Sequence, residues 1–250
     1  MSPKFPLAAA AISSLILLPA CAQEAATADT ASAMSRAEVQ EIIRDYLMEN
    51  PEIIEEALVE LSARQKAEEE RKAREALAAN SEALYQNAAD FTIGPDDAEV
   101  TVVEFFDYRC GYCKRSVDYV AGLPANYDGQ VRVVFKELPI LSPESREAAL
   151  AAIAAGKQGK YFEMHVALME HRGNYSTPEI NALAAEVGVD VEQMRADMDS
   201  DDVQKHLADS SALARELGVS GTPAFFVGDT FVPGANTPAV TRAVEAALQG

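Results

Sequence analysis

Apolar positions along the chain change their spacing near residue 90. Before it, Val39, Ile42, Ile43, Tyr46 and Leu47 recur at the intervals of one helix face. Ser35, three residues ahead of Glu38, supplies the pattern of a capping box. Asn50-Pro51 interrupts the stripe, and Ile53, Ile54, Ala57, Leu58 and Leu61 resume it. Residues 34–62 therefore read as two short amphipathic helices. Residues 63–90 keep helix formers but lose most of the stripe. Pairs such as Glu68 with Lys72 and Glu70 with Arg74 suit an exposed helix, so a charged, solvated helical linker is expected. Two short helices bury too little apolar area to fold alone, so their stripe must meet copies of itself or dock on the following domain. The charged spacer favours self-association.

From Phe91 the pattern becomes mixed α/β. "AEVTVVEFFDY" is a buried strand, "CKRSVDYVAGLPANY" a helix and "QVRVVFKELPI" a second strand, a βαβ unit that implies parallel pairing. Residues 142–218 are helical in pattern throughout, punctuated by Gly156, Gly159, Gly173, Pro178 and Gly188 into four or five helices. "TPAFFVGDTFVPG" then gives two short strands about Gly228-Asp229, and "TPAVTRAVEAALQ" a closing helix.

Composition narrows the function classes. The chain has 250 residues, 48% of them hydrophobic, enough for a well-packed core with an appendage. Its formal charge of −19 lacks the basic face that phosphate binding needs, so no nucleic-acid partner is expected. Lys4 precedes the short apolar run "FPLAAAAISSLILLPACAQ", which reads as a signal peptide over residues 1–22, followed by a disordered leader over 23–33. Ala20-Cys21-Ala22 fits simple cleavage. Leu18-Pro19-Ala20-Cys21 is an imperfect lipobox, which would make Cys21 a lipidated N-terminus. Export places the mature chain in a disulfide-permissive compartment, with Cys110 and Cys113 as its available thiols.

Those two cysteines carry the chemistry. Structural zinc needs four ligands, and His165, His171 and His206 lie far along the chain, so no metal site is expected of the ordinary kind; a two-thiolate Cu(I) site is the rival reading. A disulfide across two residues closes too small a loop to be a useful staple. Redox exchange accounts for the placement: Cys110 stands where a helix starts, which favours thiolate, and Cys113 lies one turn on, within reach to resolve a mixed disulfide. Glu104, inside the apolar strand, is expected to be buried beneath that helix and to exchange protons with Cys113. Lys136 is a candidate partner for it. Pro223, just before an apolar strand, cannot donate to a ladder. A cis Thr222-Pro223 bond would leave the Thr222 backbone free to pair with an extended peptide.

Cys110-Gly111-Tyr112-Cys113 after a strand with Glu104, a long helical insertion, and Thr222-Pro223 before a hairpin together resemble the thioredoxin-fold thiol oxidoreductases of the bacterial periplasm, of the DsbA type. The resemblance covers about residues 91–250, and "YLMENPEIIEEALVEL" is similar to the leader of the ScsC and Com1-like subgroup. It implies an α/β thioredoxin fold with an inserted all-helical domain at about 142–218, preceded by an oligomerisation segment, trimeric in ScsC-type proteins. It further implies no cofactor, with Cys110 attacking, Cys113 resolving, Thr222 and Pro223 forming the substrate platform and Glu104 the buried acid. Partners would be cysteine-containing envelope proteins and a membrane redox protein, DsbD/ScsB-like or DsbB-like. Gly111-Tyr112, with Thr222 before the proline, is similar to the DsbC isomerase site rather than to DsbA, so isomerase or reductase use is expected over pure oxidase use.

Overall fold

The computed structural model describes residues 34–250, which form ten helices and one five-stranded sheet and divide into two units at Val59/Glu60. The expected signal peptide, the expected 23–33 leader and Cys21 lie outside the described residues.

The N-terminal unit holds α1 (Arg36–Glu49) and the start of α2 (Glu52–Ala79). Ser35 caps α1 as expected: the Glu38 N–H donates to Ser35 Oγ at 3.3 Å, and the Ser35 N–H donates to Glu38 Oε2 at 2.7 Å. No residue of α1 is buried, and the stripe of Val39, Ile42, Ile43 and Tyr46 is exposed. The second expected short helix does not stop near residue 62. It continues as α2 through the charged stretch, because nothing between Glu52 and Ala79 breaks it and side-chain pairs support it. Arg71 bridges Glu68 at 2.7 Å and Glu75 at 2.5 Å, and Lys72 reaches Glu68 at 3.4 Å, whereas Glu70 pairs with Lys66 rather than Arg74.

In the larger unit the sheet runs in the order β1-β3-β2-β4-β5. Its centre is β2 (Val100–Phe106), parallel to β3 (Val131–Glu137) and antiparallel to β4 (Ala224–Val227). The edges are β1 (Phe91–Ile93) on β3 and β5 (Thr230–Pro233) on β4, both antiparallel. β1 was hidden in the sequence by its brevity. Both faces of β2 and β3 are covered, which is why they read as near-continuous apolar runs. Val102 and Phe106 face the core that holds α4 (Gly111–Asn126), α5 (Pro143–Gly156) and α10 (Thr237–Leu248). Val103 and Phe105 face a second core.

That second core also takes Leu77 from the end of α2 and Leu84 from α3 (Ser81–Tyr85). The last part of the expected solvated linker is thus packed on the sheet, anchored by the two leucines that recur after the stripe thins. The helical insertion between β3 and β4 comprises α5, α6 (Tyr161–Glu170), α7 (Thr177–Glu186), α8 (Val191–Met198) and α9 (Asp201–Glu216). In α5 the run from Ala148 to Ala155 is wholly buried, because alanines let neighbouring helices approach from every side.

Candidate active site

Cys110 is the N-cap of α4, at φ −72° and ψ 112°, one loop beyond the end of β2. Its N–H donates to the Asp107 carbonyl at 2.9 Å, and its own carbonyl accepts from the Lys114 N–H at 3.1 Å. The peptide bond between Thr222 and Pro223 is cis, and Cys110 Sγ lies 3.1 Å from the Thr222 carbonyl oxygen, to which it donates in its protonated form. Residues 112 apart in sequence are therefore in direct contact. No hydrogen bond of the Thr222 N–H occurs among the described residues.

Both cysteines are free thiols, Cys110 6% exposed and Cys113 1%. Their environments drive them apart. Cys110 is held down at about 5 because the Cys113 thiol, the Thr222 side chain and the N–H groups of Cys113 and Tyr112 all favour its anion, against the opposing effect of burial. Cys113 is pushed far up, first by burial, then by the Cys110 sulfur and the Glu104 charge. One sulfur is thus an anion at neutral pH and the other a protonated thiol that must lose a proton before it can attack.

Glu104 is 2% exposed on the α4 side of β2, and burial together with the negative charge of Cys110 raises it to about 8, with the Ser116 hydroxyl acting in the opposite direction. A carboxyl that titrates near neutrality beside a thiol needing deprotonation has the affinity required for proton exchange. Its expected partner is wrong. Lys136 pairs across the sheet with Phe105, not Glu104, and so points to the opposite face. There it forms a buried ion pair with Asp90 and donates to the Ala83 carbonyl at 2.7 Å.

Gly111 leaves the thiolate side open: a methyl there would meet nothing nearer than Arg115 at 3.7 Å, so the backbone does not demand glycine. Tyr112 is 60% exposed, with the Arg115 guanidinium 4.2 Å over its ring. Among the described residues no group of three or more His, Cys, Asp or Glu side chains converges as a metal site.

Several supporting residues were not found from sequence. Asp107 is buried, and its carboxylate accepts from the Arg109 N–H at 2.7 Å, Ser145 Oγ at 2.8 Å and the Leu141 N–H at 3.0 Å. Tyr108 donates to Glu137 Oε1 at 2.9 Å, an oxygen that also accepts from Tyr161 at 3.0 Å, and its hydroxyl lies 3.2 Å from His165 Nδ1. Lys114 Nζ caps the end of α6 through the Met169 and His171 carbonyls at 3.1 and 2.5 Å. The polar run "DYRC" after an apolar strand was the available signal, but its partners lie 29 to 57 residues away.

Residues 101–243, more than half of the chain, match the DSBA-like thioredoxin domain. The chain belongs to the DSBA-like thioredoxin family. Its fold is that of the DsbA-like thiol–disulfide oxidoreductases. Residues 36–68 of this DSBA-like chain match the "Copper resistance protein ScsC N-terminal domain". A thioredoxin-like oxidoreductase from Silicibacter pomeroyi is 42% identical, covering 68% of this chain and 98% of its own, with a TM-score of 0.65. A linker-deletion mutant of ScsC from Proteus mirabilis is 30% identical, covering 88% of this chain and 99% of its own, with a TM-score of 0.64. The Na(+)/H(+) antiporter NhaA 1 of Salinispora arenicola is 35% identical over 173 residues, which are 64% of this chain and 25% of the antiporter. The DSBA-like chain thus spans about a quarter of the length of the curated relatives it matches.

Proposed function

We propose that this DSBA-like protein is a periplasmic thiol–disulfide oxidoreductase that forms or isomerises disulfides in envelope proteins, with isomerase use favoured. The observation that carries the reading is the pair of unequal sulfurs at one helix start: an anionic Cys110 against the cis Thr222-Pro223 turn, with a protonated Cys113 behind it. In the reaction, the Cys110 thiolate attacks one sulfur of a substrate disulfide, and the other substrate sulfur leaves as thiolate. The mixed disulfide then has two exits. The freed substrate thiolate can attack elsewhere and expel Cys110, which is isomerisation. Alternatively Cys113 passes its proton to the Glu104 carboxylate and attacks Cys110, releasing reduced substrate and a Cys110–Cys113 disulfide. A peptide laid along Thr222 would find a backbone N–H with no competing partner among the described residues.

Magnitudes bear on direction. Lowering Cys110 from 9.0 to about 5 gives about a hundredfold more thiolate at pH 7. Intrinsic nucleophilicity falls by a similar factor over that range, so attack gains little. Departure gains much more, and anion stabilisation of about 3 kcal/mol makes the disulfide easier to reduce by on the order of 60 mV. Such a pair is a poor net reductant. It serves as an isomerase where a DsbD/ScsB-like membrane partner keeps it reduced, and as an oxidase where a DsbB-like partner reoxidises it. The Gly111-Tyr112 resemblance to isomerases favours the first.

Scrambled-ribonuclease refolding and insulin reduction, run beside a measurement of the Cys110–Cys113 reduction potential, test the reading. Recovery of native ribonuclease without added oxidant is expected. Inactivity in both assays, with Cu(I) retained at one ion per chain, would replace it by the copper-binding alternative.

The exposed stripe of Ile42, Ile43, Tyr46, Ile54, Leu58 and Leu61 supports assembly through the N-terminal segment, a homotrimer being the reading favoured by its ScsC match. Removing residues 34–62 is expected to give a monomer by sedimentation equilibrium. A mature full-length protein that already sediments as a monomer defeats the assembly proposal. Lipid anchoring through Cys21 is the alternative to soluble release, and mass spectrometry of the mature N-terminus separates them.

A further inference from the structure

Arg115 lies four residues past Gly111 on α4, so the two stand on one helix face. Its guanidinium is laid over the two residues that separate the cysteines. Arg115 Nη1 comes within 3.7 Å of where a methyl on Gly111 would stand, and the guanidinium carbon is 4.2 Å from the centre of the Tyr112 ring. Stacking on the aromatic face fixes the plane of the cation but uses none of its N–H donors. The other cations at the α4 start are committed. Arg109 is bridged to Glu144 at 3.0 Å, and Lys114 gives its ammonium to the Met169 and His171 carbonyls and the Tyr175 hydroxyl. Arg172 donates to the same Met169 carbonyl at 3.0 Å. Among the described residues Arg115 alone of the four donates no hydrogen bond and meets no carboxylate, and it is exposed.

We propose that Arg115 determines substrate specificity: its open N–H edge receives a carboxylate side chain flanking the reactive cysteine of an extended peptide held against Thr222. The inference rests on the oxidoreductase reading and adds to it a substrate class, acidic cysteine-containing segments. A guanidinium presents paired N–H groups that match a carboxylate bidentately, whereas a lysine in the same place meets a like charge.

The chain carries 40 acidic against 21 basic residues, so the molecule as a whole repels an acidic peptide. The four cations at the α4 start oppose that repulsion where the peptide must dock. The carboxylates among them are occupied. Glu144 is spent on Arg109, and Asp107 is buried on the Arg109 N–H, Ser145 and the Leu141 N–H. Arg115 is therefore the cation beside Cys110 that an incoming carboxylate can pair with.

Two measurements on the full chain test this, and the first needs no turnover. Iodoacetate and iodoacetamide alkylate Cys110 by the same displacement of iodide, but only iodoacetate carries a carboxylate. The thiolate fraction cancels in the ratio of their rates. At about 0.15 M salt, where charges beyond about 8 Å are largely screened, that ratio is expected to fall by about two- to fivefold in Arg115→Gln and further in Arg115→Glu. Arg74→Glu, on the exposed part of α2, changes the net charge as much as Arg115→Glu and is expected to leave the ratio where it is.

The second measurement reads the substrate. Two model peptides carry one cysteine flanked by aspartate or by lysine, each as a mixed disulfide with mercaptoethanol. In a Cys113→Ser background the Cys110 thiolate attacks the peptide sulfur. The Cys110–peptide bond forms as the peptide–mercaptoethanol bond breaks, and mercaptoethanol leaves as thiolate. The adduct is expected to form about fivefold faster with the aspartate peptide, Arg115→Gln to bring the two rates together and Arg115→Glu to invert the preference. A preference that survives Arg115→Glu, or that Arg74→Glu moves as far, overturns the proposal. If both peptides react without discrimination, the proposal falls and the oxidoreductase reading stands. If the alkylation ratio moves as expected but neither peptide forms an adduct, that reading falls and the substrate role of Arg115 with it.

Discussion

Replacing Cys110 with alanine is expected to abolish disulfide exchange, a loss of roughly a thousandfold or more, because the remaining sulfur, Cys113, is buried and held as a protonated thiol. The same change removes the iodoacetamide-reactive thiol whose alkylation follows a midpoint near 5 in the wild type. The sign is fixed by the direction of that shift: alkylation rises with pH through this midpoint and is nearly flat from pH 6 to 8, where an ordinary thiol is still climbing. Replacing Cys113 has a different signature. Cys110 keeps its attack, but the mixed disulfide loses its internal exit, so substrate–protein adducts accumulate on non-reducing gels. Its Cys110 midpoint also moves upward, because the Cys113 thiol is the largest of the groups holding the anion. Mild and equal effects of the two substitutions would contradict the division of roles.

Asp90→Ala is expected to destabilise the domain by about 3–5 kcal/mol, the usual cost of stranding one member of a buried ion pair. For a domain of this size that lowers the melting temperature by on the order of 10 °C. Side-chain exposure is 1% for Lys136 and 3% for Asp90, so solvent does not replace the lost carboxylate. The Ala83 carbonyl stays with the ammonium but carries only a partial charge. His206, with Nε2 3.9 Å from Asp90, loses its neighbour as well. Combining Asp90→Ala with Lys136→Met is expected to recover most of the loss, since an apolar pair of similar volume removes the stranded charge. Thermal denaturation of the three proteins checks this. A single-variant loss below about 1 kcal/mol would mean that the pair is hydrated in solution.

The two outcomes concern opposite faces of one sheet. Glu104 and Lys136 lie on neighbouring strands, and from the sequence a buried acid and a lysine nearby looked like partners. In a parallel ladder the pairing register decides which face each side chain takes, and Lys136 pairs with Phe105. The acid beneath the cysteines is therefore left without a cation, so burial and the Cys110 charge raise it to about 8. The lysine instead finds Asp90, a residue at the end of what read as a solvated linker.

What the sequence determined by itself were the features written in short-range pattern. A nearly unbroken apolar run defines a strand, and a cysteine pair at one-turn spacing behind it defines a helix start with two thiols of unequal access. Proline before an apolar run marks a turn, and the 3.6 period marks the exposed N-terminal stripe. These signals need only neighbours along the chain. The tertiary structure alone decided who meets whom: Asp107 with Ser145, Tyr108 with Glu137 and His165, and Lys114 with the end of α6. Most of those contacts join the helical insertion to the active-site loop across tens of residues. Their existence depends on strand register and helix rotation, quantities that a local pattern of apolar and polar residues does not encode.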